Sequence, residues 1–235
     1  MLSKSKPLFY ISLALFVLIE SVFFVLIQMG IAGLHNYLCF TSVVVAFAFS
    51  VLVARPYADS LITVLGLLFT VCADYCLLLI YPEPRVIAMI FFNTVQACYF
   101  IRILLNSKGR REVIVHVAVR LLAMLSAVIL AFAILGGKPD SVSLISMIYF
   151  ANLATNIVFA FYHHDRYLLF AIGLLSFALC DIFVGLGVLV NDYLRLGRDN
   201  ILWQLTHSGV NFIWLFYVPS QTLISISAAI KQKTT

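Results

Sequence analysis

The chain has 235 residues, 63% of them hydrophobic and 11% charged, with a net charge of +5. A soluble domain is about half apolar and about a quarter charged, so this composition, with a mean hydropathy of +1.08, excludes a soluble globular fold and indicates a polytopic membrane protein. In such a chain Lys and Arg report topology, and the positive balance carries no argument for nucleic-acid binding.

A bilayer-spanning helix needs about 20 mostly apolar residues. Lys4 and Lys6 precede an apolar run over 8–29. That run is longer than the roughly 7–15-residue core of a signal peptide, and it predicts a retained first helix. Further spans are predicted over 37–54, 61–80, 86–105, 113–135, 141–162, 167–190 and 208–230. The expectation is an all-α protein of eight transmembrane helices, a single transmembrane domain over 1–235. Arg55-Pro56, Pro82-Glu83-Pro84, Ser107 to Arg111, Gly136 to Asp140 and His163 to Arg166 separate the spans, and Asn191 to His207 is the longest connection. The N-terminus, the even-numbered loops and the C-terminus hold Lys4, Lys6, Arg55, Lys108, Arg110, Arg111, Arg166, Lys231 and Lys233; the odd-numbered loops hold only Arg85, Lys138, Arg195 and Arg198. The positive-inside rule places both termini in the cytoplasm, with the chain integral to the cell membrane.

Two aspartates lie deep in apolar runs at matching places. Gly66-Leu67-Leu68 is followed after five residues by Asp74, and Gly173-Leu174-Leu175 after five residues by Asp181. A carboxylate in a spanning helix is costly, roughly 2.5–3.5 kcal/mol on insertion scales, and usually faces a protein interior or wet cavity. Two acids in one frame point to a shared site. With four helices per half, they suggest a four-plus-four parallel repeat. The alternative for either acid alone is a structural anchor between helices.

Other polar groups within the spans are Glu20, Asn93, Gln96, Asn152, Asn156, Asn211 and Gln221. Amides commonly join helices by hydrogen bonds; their alternative role is to line the cavity of the two acids. Glu20 has a candidate partner in Arg120 of the fifth span. All five cysteines, Cys39, Cys72, Cys76, Cys98 and Cys180, fall in apolar segments and read as buried small hydrophobes. The histidines are scattered, without a His-x-x-x-His pair, and His163-His164 beside Asp165 reads as a solvated loop. A Gly-x-Ser-x-Gly elbow and a phosphate loop are both missing. No metal site and no cofactor is expected.

The stretches Gly66 to Leu78 and Gly173 to Gly185 resemble the two Asp motifs of the lysoplasmalogenase family, the YhhN-like membrane proteins. Phe91 to Phe100 is similar to the family's motif on the following helix, and Trp214 to Ile224 to its closing Tyr-and-Gln helix. The resemblance covers about 60–106 and 167–228. Gln96 stands where the family usually has His, Ala73 where it usually has Gly, and no Lys-Pro opens the second helix. The resemblance implies hydrolysis of the vinyl ether of a lysoplasmalogen by Asp74 and Asp181, with no cofactor. Asn93, Gln96, Tyr99, Tyr217 and Gln221 would contact the lipid. Vinyl ethers open when a proton reaches the alkenyl carbon and water captures the oxocarbenium. One carboxyl must then be protonated and one ionised, the unequal pairing of two-carboxylate glycosidases. The competing readings are a proton-coupled transporter or lipid-binding membrane protein, and an inactive relative on the same scaffold.

Overall fold

The computed structural model describes residues 6–107, 109–134, 137 and 139–230. Gly136 and five of the cations used for orientation, Lys4, Lys108, Lys138, Lys231 and Lys233, lie outside the described residues. Among the described residues the regular elements are all helical: α1 (Lys6–Gln28), α2 (His35–Val53), α3 (Ala58–Leu78), α4 (Arg85–Leu104), α5 (Arg110–Ile134), α6 (Ser141–Tyr162), α7 (His164–Val188), α8 (Ile201–Thr206) and α9 (Phe212–Ser227). A π-helical turn over Leu189–Tyr193 prolongs α7. Helices α1 to α7 are each long and apolar enough to cross a membrane, so the chain is an integral multi-pass membrane protein.

Local chemistry sets the boundaries. Pro56 and Pro84 bar helix continuation before α3 and α4. Asp59 and Asp165 put negative charge in the first turns of α3 and α7, where the helix dipole favours it. Asp140 caps α6, accepting from the Ser143 backbone N–H at 2.6 Å. This hydrogen bond holds its carboxyl below the usual range.

The helix in the stretch predicted as the eighth span, 208–230, is shorter than expected. Asn211 accepts from the Trp214 N–H at 3.3 Å and starts α9 there. The helix runs for 16 residues, fewer than the roughly 20 that span a bilayer. It contains Pro219, which removes a backbone donor. α9 tolerates this because α7, α2, α1 and α3 surround it, and irregular backbone at membrane depth is accommodated where protein buries it.

Helix neighbours follow the same order in both halves. α1–α2, α2–α3 and α3–α4 pack in the first half, α5–α6, α6–α7 and α7–α9 in the second, and α4–α6 and α2–α9 join them. The core runs through Leu67, Tyr99, Leu153, Phe170, Leu174, Phe177 and Ile224, all essentially inaccessible. Between membrane helices the driving term is close packing rather than water exclusion. Both motif glycines serve it. A Cβ on Gly66 would lie 2.5 Å from Cε1 of Tyr99 on α4, and one on Gly173 would lie 2.8 Å from Cγ1 of Ile224 on α9. Each glycine lets its helix touch the last helix of its own half.

Polar side chains are neutralised locally. Ser12, Ser21, Thr70, Thr94 and Thr222 each donate to the carbonyl four residues earlier, which spares the hydroxyl from lipid. Buried Arg102 donates to the Ser227 Oγ and carbonyl at 2.8 and 3.0 Å, at the negative end of α9, with Phe170 beneath its guanidinium at 4.3 Å. The expected Glu20–Arg120 pair does not form. Glu20 accepts from Ser42 at 2.7 Å, and Arg120 donates to Asn156 Oδ1 at 3.0 Å and to the Gln96 carbonyl at 3.3 Å. The reason is helix placement: α1 packs on α2 and α9, and α5 on α6.

Candidate functional site

Asp74 and Asp181 sit in the last third of α3 and α7, where those helices approach α9 and α6. Each accepts one phenolic hydrogen bond. Tyr217 of α9 donates to Asp74 Oδ2 at 2.6 Å, and Tyr149 of α6 donates to Asp181 Oδ2 at 2.6 Å. At 2.6 Å both lie at the short end of the O–H···O range. The carboxylates lie within electrostatic reach of one another, and buried Cys180 lies within reach of both. The Phe177 ring stands between the two tyrosines, 6.4 Å from Tyr149 and 5.4 Å from Tyr217, and closes the apolar wall. The two acids differ in access: Asp74 is 4% exposed, and Asp181 is half-buried.

A cavity of about 420 Å³ opens towards the α1–α2 and α7–α9 connections. His35, Phe183, Asn191, Asn211, Phe212 and Ile213 are among its lining residues. Neither aspartate lines it, nor does Tyr149 or Tyr217; the helices that carry the acids and Tyr217 border it through neighbouring positions. Phe183 lies two residues beyond Asp181, Ile213 lies one turn before Tyr217, and His35 approaches Cys39, itself near Asp74, at 3.6 Å. Gln28 and Asn211 clasp the rim reciprocally, side chain to backbone, at 3.0 Å in each direction. The lining is mixed, with Gln28, His35, Asn191 and Asn211 beside Phe183, Phe212 and Ile213.

The five expected lipid-contact residues separate into groups. Tyr217 joins the acids directly. Gln221, one turn along α9, is buried, and its side-chain amide meets no partner among the described residues. Tyr99 is buried edge-on against Phe170 at 5.2 Å and close to Tyr149. Asn93 and Gln96 instead join α4 to α6: Asn152 donates to Asn93 Oδ1 at 3.2 Å, and Asn156 to Gln96 Oε1 at 2.9 Å. That is the interhelical role of membrane amides.

Tyr149, Phe177 and Cys180 are additions from the structure. Tyr149 carried a readable signal, because 149, 152 and 156 form one helical stripe of polar groups. His163 corrects the reading of a solvated loop: its side chain is 8% exposed and meets Glu112 at 3.0 Å.

The described residues thus offer two buried carboxyl groups, each with a short phenolic hydrogen bond, and a cavity beyond them at the end of α7. No curated protein and no solved structure matches the chain. A family model does match it, over residues 34–228, a stretch that includes α2 to α9 and both aspartates. This chain belongs to the YhhN family, the family of the lysoplasmalogenases.

Proposed function

We propose that this protein is a membrane-embedded lysoplasmalogenase, which hydrolyses the vinyl ether of a lysoplasmalogen to a fatty aldehyde and a glycerophospho-head group. The observation that carries the reading is the pair of Asp–Tyr contacts around Cys180 and Phe177, on a scaffold of this family. Asp74, the sequestered acid, delivers a proton to the alkenyl carbon remote from the ether oxygen. Asp181, the more accessible acid, takes a proton from the water that adds to the oxocarbenium carbon. The resulting hemiacetal collapses to aldehyde and free glycerol hydroxyl. Tyr217 and Tyr149 orient the two carboxyl groups by their hydrogen bonds.

The cavity beside Phe183 and Phe212 suits an alkenyl chain, and its rim, with Asn191 and Asn211, suits the polar head. With α9 counted as an eighth crossing enclosed by protein, this reading puts both termini on the cytoplasmic side of the cell membrane, as the Lys and Arg distribution favours.

The test is aldehyde release from an alkenyl lysolipid by the purified protein, with a saturated ether lysolipid as control. Turnover of the alkenyl substrate alone is expected. No turnover of any ether lipid would move the function to lipid binding or proton-coupled transport. A reporter fused after Thr235 tests orientation: signal from a cytoplasm-dependent reporter is expected, and signal from an exterior-dependent one would overturn it.

A further inference from the structure

A second cluster of reactive side chains lies at the opposite end of the bundle from the cavity. Glu112 and His116 are one turn apart near the start of α5, and His163 is the single residue between α6 and α7. Their potential ligand atoms all fall within 4.8 Å of one another. Glu112 Oε1 lies 3.0 Å from His163 Nε2 and 4.0 Å from His116 Nε2. A tetrahedral zinc with bonds of about 2.0–2.1 Å separates its ligands by about 3.3 Å, a distance that the Glu112–His163 pair already approaches and that His116 reaches by a side-chain shift of up to about an ångström.

The donor set is two imidazoles and a carboxylate, a combination that zinc takes readily. The site is held by packing rather than by flexible loops. His116 is 2% exposed with its ring 3.9 Å from that of Phe159, and the rings of Tyr162 and Tyr167 flank His163 at 5.0 and 6.5 Å. Nδ1 of His116 is buried without a hydrogen-bond partner among the described residues. Glu112 keeps 19% exposure, which leaves a way in for the ion and a place for water as a further ligand.

We propose that Glu112, His116 and His163 bind a divalent transition-metal ion, with Zn²⁺ as the best-matched case. The ion ties the start of α5 to the α6–α7 junction. α5 packs on α6 and turns Leu121, Leu122, Leu125 and Ile129 outward, so a bond at its end holds a helix that is otherwise lightly fastened. The site is separate from the acids and takes no part in their chemistry.

The test uses full-length protein in detergent, stripped with a chelator, loaded with Zn²⁺ and desalted. About one zinc per chain is expected. His116→Gln and His163→Gln should each lower zinc affinity at least about tenfold, and His164→Ala, outside the cluster, should retain the wild-type stoichiometry. Co²⁺ loading should give the visible ligand-field absorption of a tetrahedral nitrogen–oxygen site, lost in His116→Gln. Each variant is taken only from a monodisperse peak, so that loss of metal is not loss of fold. Zinc below about 0.1 per chain in folded wild type, or unchanged affinity in both histidine variants, would overturn the site and leave a carboxylate–imidazole hydrogen bond.

Discussion

Helices α3 and α7 carry the same frame and use it differently. In both, the glycine abuts the last helix of its half, and the aspartate two turns later accepts a tyrosine hydroxyl at 2.6 Å. The tyrosines come from non-equivalent places. Tyr217 reaches Asp74 from α9, in the other half of the chain, whereas Tyr149 reaches Asp181 from α6, its neighbour in the same half. Asp74 is thereby enclosed. Asp181 stays half-buried on α7, which runs on through the π-helical turn towards α8. A shared local frame sets the depth of a polar group; the neighbours that surround it set its access to water.

The largest effect expected is on turnover. Asp74→Asn and Asp181→Asn should each lower aldehyde release by about 10²–10⁴-fold, the usual worth of a general acid or base. The double variant should be little worse than either single one, because the two act as a unit. If one substitution abolishes turnover and the other leaves it intact, the two helices do not share a reaction and the comparison fails.

The tyrosines sharpen the asymmetry. A hydrogen bond to a charged group is worth about 1.5–3 kcal/mol and one between neutral groups about 0.5–1.5 kcal/mol. Tyr149→Phe, which removes the donor to the ionised base Asp181, should slow turnover by about ten- to a hundredfold. Tyr217→Phe, opposite the protonated Asp74, should cost less, about two- to tenfold. Steady-state rates of the two variants decide it; a larger loss at Tyr217 would reverse the assignment of acid and base.

The glycines should behave alike in sign and differ in size. Gly173→Ala meets both Cγ1 of Ile224 at 2.8 Å and its backbone nitrogen at 3.3 Å, whereas Gly66→Ala meets the Tyr99 ring. Overpacking costs about 1–3 kcal/mol, with the greater loss at Gly173, where backbone must move. Thermal unfolding midpoints in detergent would rank them. Equal wild-type midpoints for both would remove the close-approach account.

The smallest effect belongs to the amide contacts between α4 and α6. Asn152→Leu removes its bond to Asn93 and should cost about 0.6 kcal/mol, the average for such bonds in a membrane, with aldehyde release unchanged. A fall in turnover without a change in midpoint would return Asn93 to the cavity wall.

Much of this was legible in the amino acids. Hydropathy alone gives α1 to α7, because lipid demands about 20 apolar residues in a row whatever packs beside them. The matching frames around Asp74 and Asp181 were also visible, since a carboxylate in such a run is conspicuous at any fold. The last helix was harder. Its length depends on Asn211 starting it and on the neighbours that bury it, and hydropathy reports neither. Position in sequence likewise could not say that Glu20 meets Ser42 rather than Arg120, because that choice follows from which helices touch.

The sequence by itself determined that this is an all-helical membrane protein of the YhhN family with two intramembrane acids in one frame, because composition, period and motif are local properties. Only the tertiary structure decided that Tyr149 and Tyr217 hold those acids, that Phe177 packs against both tyrosines, and that Glu112, His116 and His163 converge at the other end. Such pairings join residues far apart in the chain, and their free energy depends on distances of a few ångströms that helix packing alone sets.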